Sequence, residues 1–384
     1  MSVTAPKGFT ASGVAAGIKP SGRADVALVV NNGPLFGAAA VFTGNRIKAA
    51  PVLWSQQVLK AGKVVAVALN AGNANACTGH LGFQHAHRTA EVVASLLDTS
   101  AAEVAVCSTG LIGDYLPIEK LVSGLTVAHE QLARDGGDAA AHAIMTTDTV
   151  PKQAIVTSPN GWTVGGMAKG AGMLAPALAT MLVVLTTDAE VDAHELDSAL
   201  RPATAATFDR LDSDGCMSTN DTVLLLASGA AGVVPDTAEF AAAVERVCAL
   251  LAEQLIDDCE GASKVIAIEV TDAASAEDAL EVARAVSRSN LLKCAIHGED
   301  PNWGRILAAV GTTDAAFDAD AVDVAINGVW ICRASTIGDD RGDVDLSARR
   351  VAITIALHAG TASAQLLTND LTAEYVHENS AYAT

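Results

Sequence analysis

The chain has 384 residues, half of them hydrophobic and 18% charged, with a net charge of −20. That composition supports sizeable cores and argues against disorder, and the length exceeds what one core usually covers, so two domains are expected. A surface this acidic repels phosphate backbones and anionic membranes, which argues against a nucleic-acid or membrane-surface protein while leaving room for a locally positive pocket.

Seven cysteines, at positions 77, 107, 216, 248, 259, 294 and 332, form no CxxC pair and no framework spacing. A reduced, cytoplasmic protein is the expectation. The N-terminus lacks the apolar core of a signal peptide, and no run approaches the roughly 18 apolar residues of a membrane span. The stretch from Met173 to Leu185 is short and is broken by Pro176.

Residues 1–25, punctuated by Gly and Pro, are expected to wrap the surface. Apolar runs at Val26–Val30, Ala38–Phe42 and Val64–Leu69 read as strands. The last enters an Asn/Gly-rich loop, Asn70-Ala-Gly-Asn-Ala-Asn75, of a kind that tolerates left-handed backbone. Helical spacing covers His87–Leu97. A short strand, Val104–Cys107, leads into Ser108-Thr109-Gly110. That tripeptide is either a turn or a set of amides and hydroxyls able to hold an oxyanion.

Residues 117–145 read as helical with a break at Gly136-Gly137. The hydroxyl-rich Met145-Thr-Thr-Asp-Thr-Val-Pro-Lys152 follows, then a hairpin of Gln153–Thr157 and Trp162–Met167 around Pro-Asn-Gly. The hairpin feeds Lys169-Gly-Ala-Gly-Met-Leu-Ala-Pro-Ala-Leu-Ala-Thr180, an irregular stretch running directly into the apolar strand Met181–Leu185. Thr180 stands where a constrained loop meets a sheet. A helix near 192–206 and a strand at Val223–Ala227 come next, and a composition shift at 229–236 suggests a domain seam. Beyond it lie helices at Ala238–Leu255 and Ala276–Val286 and strands at Val265–Val270, Val322–Ile326 and Val351–Leu357. Strands alternating with helices imply a layered α/β or α+β fold.

Several other chemistries have little support. There is no dinucleotide fingerprint, and Gly165-Gly-Met-Ala-Lys-Gly170 lacks Walker spacing. His80, His85 and His87 have no partner at zinc spacing, so no metal is expected. The carboxylates around Asp212 do not fit a calcium loop. A Ser-His-Asp triad has no nucleophile-elbow motif behind it. Glu299-Asp300 reads either as an acid/base pair or as solvated surface acids.

Taken together, the motifs resemble one family. Lys169-Gly-Ala-Gly-Met-Leu-Ala-Pro through Ala179-Thr180-Met-Leu is similar to the self-cleavage motif of the ornithine acetyltransferases (glutamate N-acetyltransferases, the ArgJ family). Ser108-Thr-Gly, Met145-Thr-Thr-Asp-Thr-Val-Pro-Lys, Ser218-Thr-Asn-Asp-Thr, Asp258-Cys-Glu-Gly-Ala-Ser-Lys, Gly298-Glu-Asp-Pro-Asn-Trp-Gly-Arg and Asn379-Ser-Ala-Tyr-Ala-Thr384 resemble further family segments, in the family's order. The resemblance spans essentially the whole chain. Ala171, Ala175, Leu178 and the run Leu211–Cys216 depart from the usual pattern.

The resemblance implies a layered α/β (α+β) sandwich of the self-processing, N-terminal-nucleophile (Ntn-like) kind with a second, smaller α/β domain. It implies scission between Ala179 and Thr180 into residues 1–179 and 180–384, assembled as a heterodimer and then a heterotetramer. Thr180 is the implied nucleophile, and Thr109 and Gly110 the oxyanion hole. Thr146, Lys169, Thr180, Glu260, Asn379 and Thr384 are the implied substrate-binding residues. The implied reaction moves an acetyl group from N2-acetyl-L-ornithine to L-glutamate, without metal or coenzyme, in cyclic arginine biosynthesis. Acetyl-CoA is a second candidate donor.

The chemistry of the residues fits. A freed Thr180 carries a hydroxyl nucleophile and an α-amine base with an ordinary pKa of about 7.7–8.0. Lys169 suits an α-carboxylate and Glu260 an ammonium. Two alternatives stay open: an N-terminal-threonine amidohydrolase or aminopeptidase in which water accepts the acyl group, and an uncleaved amino-acid-binding regulatory protein.

Overall fold

The computed structural model describes residues 2–175 and 181–381, and the chain divides into two compact units. Among the described residues, the first unit comprises 2–209 and 216–258, and the second 210–215 and 259–381.

The first unit contains β1 (Phe9–Val14), β2 (Val26–Asn31), β3 (Gly37–Phe42), α1 (Ala50–Val58), β4 (Ala66–Asn73), α2 (Gly79–Leu97), β5 (Val104–Leu111), α3 (Ile118–Glu130), α4 (Gly137–Ala143), β6 (Lys152–Thr157), β7 (Thr163–Lys169), β8 (Leu182–Thr187), α5 (Ala193–Ala206), β9 (Thr222–Ala227) and α6 (Thr237–Asp257). Its strands form a four-stranded sheet, β1-β2-β4-β5, and a five-stranded sheet, β3-β9-β8-β7-β6.

The inner faces of these sheets share one core. Val29, Val67, Leu69 and Cys107 from the first meet Met167, Leu182, Val184 and Leu224 from the second. The outer face of the four-stranded sheet (Leu28, Val30, Ala68, Val106) packs on Val93 of α2 and on Leu121 and Leu125 of α3. The five-stranded sheet is covered by α5 and α6. Gly166 of β7 lets α6 approach so closely that an added Cβ would lie 3.2 Å from Val247. The result is a helix–sheet–sheet–helix sandwich. Each helix is amphipathic because it has one sheet-facing side: α6 buries Val244, Val247, Leu251 and Leu255 at spacings of three and four. Strands β8 and β9 are buried along their whole length, as their unbroken apolar runs require.

The second unit contains β10 (Val265–Ala273), α7 (Ala276–Ser287), α8 (Asn290–His297), α9 (Trp303–Val310), β11 (Asp323–Ile326), β12 (Val329–Arg333), β13 (Thr336–Ile337), β14 (Arg350–Ala356), β15 (Ala362–Asn369) and α10 (Ala373–Ala381). The strands form one mixed sheet, β13-β12-β11-β14-β10-β15. Ile266, Ile268, Val270 and Ile353 of the sheet share a core with Val282 and Val286 of α7 and Ile306 of α9.

Three expectations change. Residues 1–25 are not only a surface wrap: β1 pairs with β2 from Phe9↔Asn31 to Val14↔Val26, and Phe9 and Ala11 are buried. The composition shift at 229–236 marks a loop within the first unit, ending at the α6 N-cap Asp236, and the division falls after Asp258 instead. Glycine and proline there stop a strand and start a helix of the same unit. Third, Ser108-Thr109-Gly110 is strand rather than turn. The pairing of β4 with β5 continues to Leu111 through an irregularity at Gly72/Asn73.

Candidate active site

The end of β5 is shaped by close backbone approach. Gly110 has φ +124°, and an added Cβ would lie 2.5 Å from the Gly72 carbonyl carbon, so only glycine fits. Gly72 itself has φ +100°. Asn220, just before β9, fixes this edge: its side-chain amide donates to the carbonyls of Ala74 (2.7 Å) and Ser108 (2.8 Å). Asn70 adds a brace, accepting from Ser108 Oγ at 2.6 Å and donating to the Asn73 carbonyl at 2.9 Å. Thr109, with its neighbours held on both sides, is buried.

Lys169 ends β7 inside the protein. Its side chain is 1% exposed, and its Nζ lies 3.4 Å from Thr109 Oγ1. The β7–β8 register pairs Lys169 with Leu182, two positions after Thr180. A buried ammonium needs nearby negative charge, and Asp148 supplies it. Burial by itself would raise the Asp148 carboxyl, but the charges of Lys169 and Lys152 outweigh this and hold it at about 2. Asp148 accepts hydrogen bonds from Lys152 Nζ (2.6 Å), Gly170 N–H (2.7 Å) and Thr146 N–H (2.9 Å). One carboxylate therefore ties the backbone of Thr146 to the residue after Lys169. Lys152 is also buried and pairs with Asp258, which in turn accepts from the Thr149 amide at 2.9 Å.

Lys19 lies in the same electrostatic neighbourhood. Its Nζ donates to the carbonyls of Ala24 (2.6 Å) and Ala143 (3.0 Å). Burial pulls its pKa down to about 8, against the pull of Asp25 and Asp148.

Thr109, Gly110, Thr146 and Lys169 are thus brought together in the first unit. In the second unit, the half-buried Glu260 accepts a hydrogen bond from the Asn379 side chain at 2.9 Å, and Asn379 also donates to the Tyr375 carbonyl at 3.0 Å. Ala179, Thr180 and Thr384 lie outside the described residues. The sequence reading missed Lys19, Asp148, Lys152 and Asn220 as organisers of the site. Asp148 and Lys152 lie in the Met145–Lys152 motif, where a carboxylate two residues from a threonine and four from a lysine is the signal, and Asn220 lies in Ser218-Thr-Asn-Asp-Thr222.

Among the described residues no cluster of three His, Cys, Asp or Glu side chains is placed to hold a metal, and no helix is long and apolar enough to cross a membrane. Ser263, His297 and Asp370 of the second unit do meet, but not as a hydrolytic triad. The same imidazole nitrogen, Nδ1, faces both Ser263 Oγ (3.2 Å) and Asp370 (2.9 Å). Asp370 also accepts directly from Ser263 and from the Lys264 amide, so the cluster anchors a loop.

The model of the ArgJ family matches residues 10–384. Arginine biosynthesis bifunctional protein ArgJ of Streptomyces avermitilis is 65% identical over the full length of both chains, and that of Streptomyces coelicolor 64%. A solved structure, ornithine acetyltransferase complexed with ornithine from Mycobacterium tuberculosis, is 58% identical over 47% of this chain and 96% of its own, with a TM-score of 0.46. With the family model spanning nearly every residue and relatives aligned end to end, the chain belongs to the ArgJ family.

Proposed function

We propose that this protein is an acyltransferase of arginine biosynthesis that carries acetyl from N2-acetyl-L-ornithine to L-glutamate on Thr180. Family membership over the whole chain supports the reaction class. The observation that carries the site is the buried Lys169, balanced by the charge of Asp148 and lying 3.4 Å from Thr109 Oγ1. A fixed ammonium beside hydroxyl and amide donors suits a substrate with both a carboxylate and a reacting carbonyl.

The chemistry starts with self-scission. The Thr180 hydroxyl attacks the Ala179 carbonyl, the peptide nitrogen leaves as the Thr180 amine, and water hydrolyses the resulting ester. The products are fragments 1–179 and 180–384, with Ala179 ending the first. Thr180 then has its own base, as N-terminal nucleophiles require.

Its hydroxyl attacks the acetyl carbonyl of N2-acetyl-L-ornithine while the α-amine takes the proton. The negative oxygen that develops is held by Thr109 Oγ1 and the Gly110 N–H. The tetrahedral adduct collapses, the proton passes to the departing ornithine nitrogen, and acetyl stays on Thr180. L-Glutamate enters, its amine attacks the ester, and N-acetyl-L-glutamate leaves with the hydroxyl restored. Lys169 holds the α-carboxylate common to both substrates, with Thr146 beside it. Glu260, positioned by Asn379, binds the ornithine side-chain ammonium. Thr384 completes the substrate contacts. The two fragments stay together as a heterodimer and pair into a heterotetramer in the cytoplasm.

The Streptomyces relatives are named bifunctional, which favours acetyl-CoA as a second donor, and side-by-side assays with the two donors decide it. The reaction itself is tested by incubating the enzyme with N2-acetyl-L-ornithine with and without L-glutamate. Glutamate-dependent ornithine release without free acetate is expected, and Thr180→Ala is expected to be inactive. Equal release in water alone would establish a hydrolase instead.

A further inference from the structure

Asp221 is a buried acid with no place in the chemistry above. It stands immediately before β9 and is fully enclosed. Its Oδ1 accepts the Met181 N–H at 3.0 Å, while its Oδ2 meets no hydrogen-bond partner among the described residues. Met181 is gripped at its other end too, because its carbonyl accepts the Thr222 N–H at 3.2 Å. The parallel pairing of β8 with β9 then begins at Leu182↔Thr222.

The Met181 nitrogen is one bond from the carbonyl carbon of residue 180. A clamp on that amide therefore acts on the peptide unit that leaves Thr180. The clamp belongs to a rigid frame: β8 and β9 are central strands, and the Thr43 amide donates to the Asp221 carbonyl at 3.0 Å. The acceptor does not need charge for this. Burial pushes the Asp221 carboxyl well above its ordinary value, against the smaller opposing pulls of the Met181 amide and the Lys169 charge. A carboxyl kept in such a place, where an apolar residue would cost less, needs a reason.

We propose that Asp221 is a positioning residue for the reaction at residue 180, its Oδ1 holding the Met181 amide so that the chain preceding it presents the Thr180 hydroxyl to the Ala179 carbonyl. This rests on the self-scission reading given above. Attack on one's own preceding carbonyl requires a narrow range of backbone angles at the attacking residue. That geometry is set by φ and χ1 of residue 180, and holding the peptide on its C-terminal side gives those two rotations a fixed frame to turn in.

The test follows the scission of freshly synthesised full-length chains by denaturing intact mass, comparing wild type with Asp221→Ala, Asp221→Val and Asp221→Asn. Circular dichroism and gel filtration select the folded fraction, so a loss of stability alone does not count. Asp221→Ala and the space-filling Asp221→Val are expected to cut about 10²-fold more slowly. Asp221→Asn, which offers a neutral acceptor to the same amide, is expected to recover most of the rate. If Ala prevents folding, Val and Asn still decide the matter. Wild-type rates in folded Asp221→Val, or an Asn variant as slow as Val, overturn the assignment of Asp221 alone. An uncut wild type overturns it together with the reading on which it rests.

Discussion

Replacing Asp148 by Asn removes the one carboxylate on which Thr146, Lys152, Lys169 and Gly170 converge. The carboxyl is held at about 2 against an ordinary 3.8, a difference that corresponds to about 2 kcal/mol of native-state stability at neutral pH. The substitution costs more than that, because Lys169 loses the nearby charge of Asp148 and Lys152 loses one of its two carboxylate partners among the described residues. Breaking a buried ion pair on one side typically costs about 3–5 kcal/mol, so a loss of about 3 kcal/mol is expected.

The native value lies below the unfolded one. This stability is therefore complete above about pH 4 and is lost as pH falls from there towards 2. Urea titrations of the Thr180→Ala chain, with and without Asp148→Asn, measure the effect in one covalent molecule at pH 7 and again at pH 3. The difference between the two proteins should shrink at the lower pH. A loss within about 0.5 kcal/mol at pH 7, the range of ordinary surface substitutions, would refute the view that Asp148 anchors the buried lysines.

Gly110→Ala puts a Cβ 2.5 Å from the Gly72 carbonyl carbon at a φ of +124°. It should cost at least about 1–3 kcal/mol in thermal unfolding and abolish acetyl transfer in whatever folds. Asn220→Ala strips donors from the carbonyls of Ala74 and Ser108. It should lower stability by about 1–3 kcal/mol for each carbonyl left dry, read by urea midpoint. Glu260→Gln retains a side-chain acceptor for Asn379 but loses the charge. It should raise KM for N2-acetyl-L-ornithine by about tenfold, as expected for a lost charge-assisted contact, while shifting stability by less than about 1 kcal/mol.

Much of the fold was legible because the apolar runs are long and uninterrupted. The runs at 26–30, 38–42 and 223–227 became β2, β3 and β9, and the Pro-Asn-Gly signal gave the β6–β7 hairpin. Strand β1, with Thr10, Ser12 and Gly13 among six residues, has too little apolar content to announce itself. It is a strand because β2 and α4 cover it. The short helices α8 and α9, and the short strands β12 and β13 at one end of their sheet, likewise depend on tertiary packing more than on pattern.

In the candidate site, Thr109, Gly110, Thr146 and Lys169 could be picked from motifs. Gly110 could not be read as an intolerant position, since its clash is with Gly72, thirty-eight residues away. Asp148, Lys152 and Asp221 look like ordinary charged residues in a chain with 44 acidic and 24 basic ones. Only burial singles them out, and burial of a charge is a property of the assembled layers.

The most direct test of the account is intact-mass analysis of the purified protein after exposure to N2-acetyl-L-ornithine in the absence of glutamate. Two fragments divided between Ala179 and Thr180 are predicted, with the 180–384 fragment one acetyl group heavier and returning to its original mass when L-glutamate is added. A single uncut chain, or an acetyl group located on any residue other than Thr180, would contradict it.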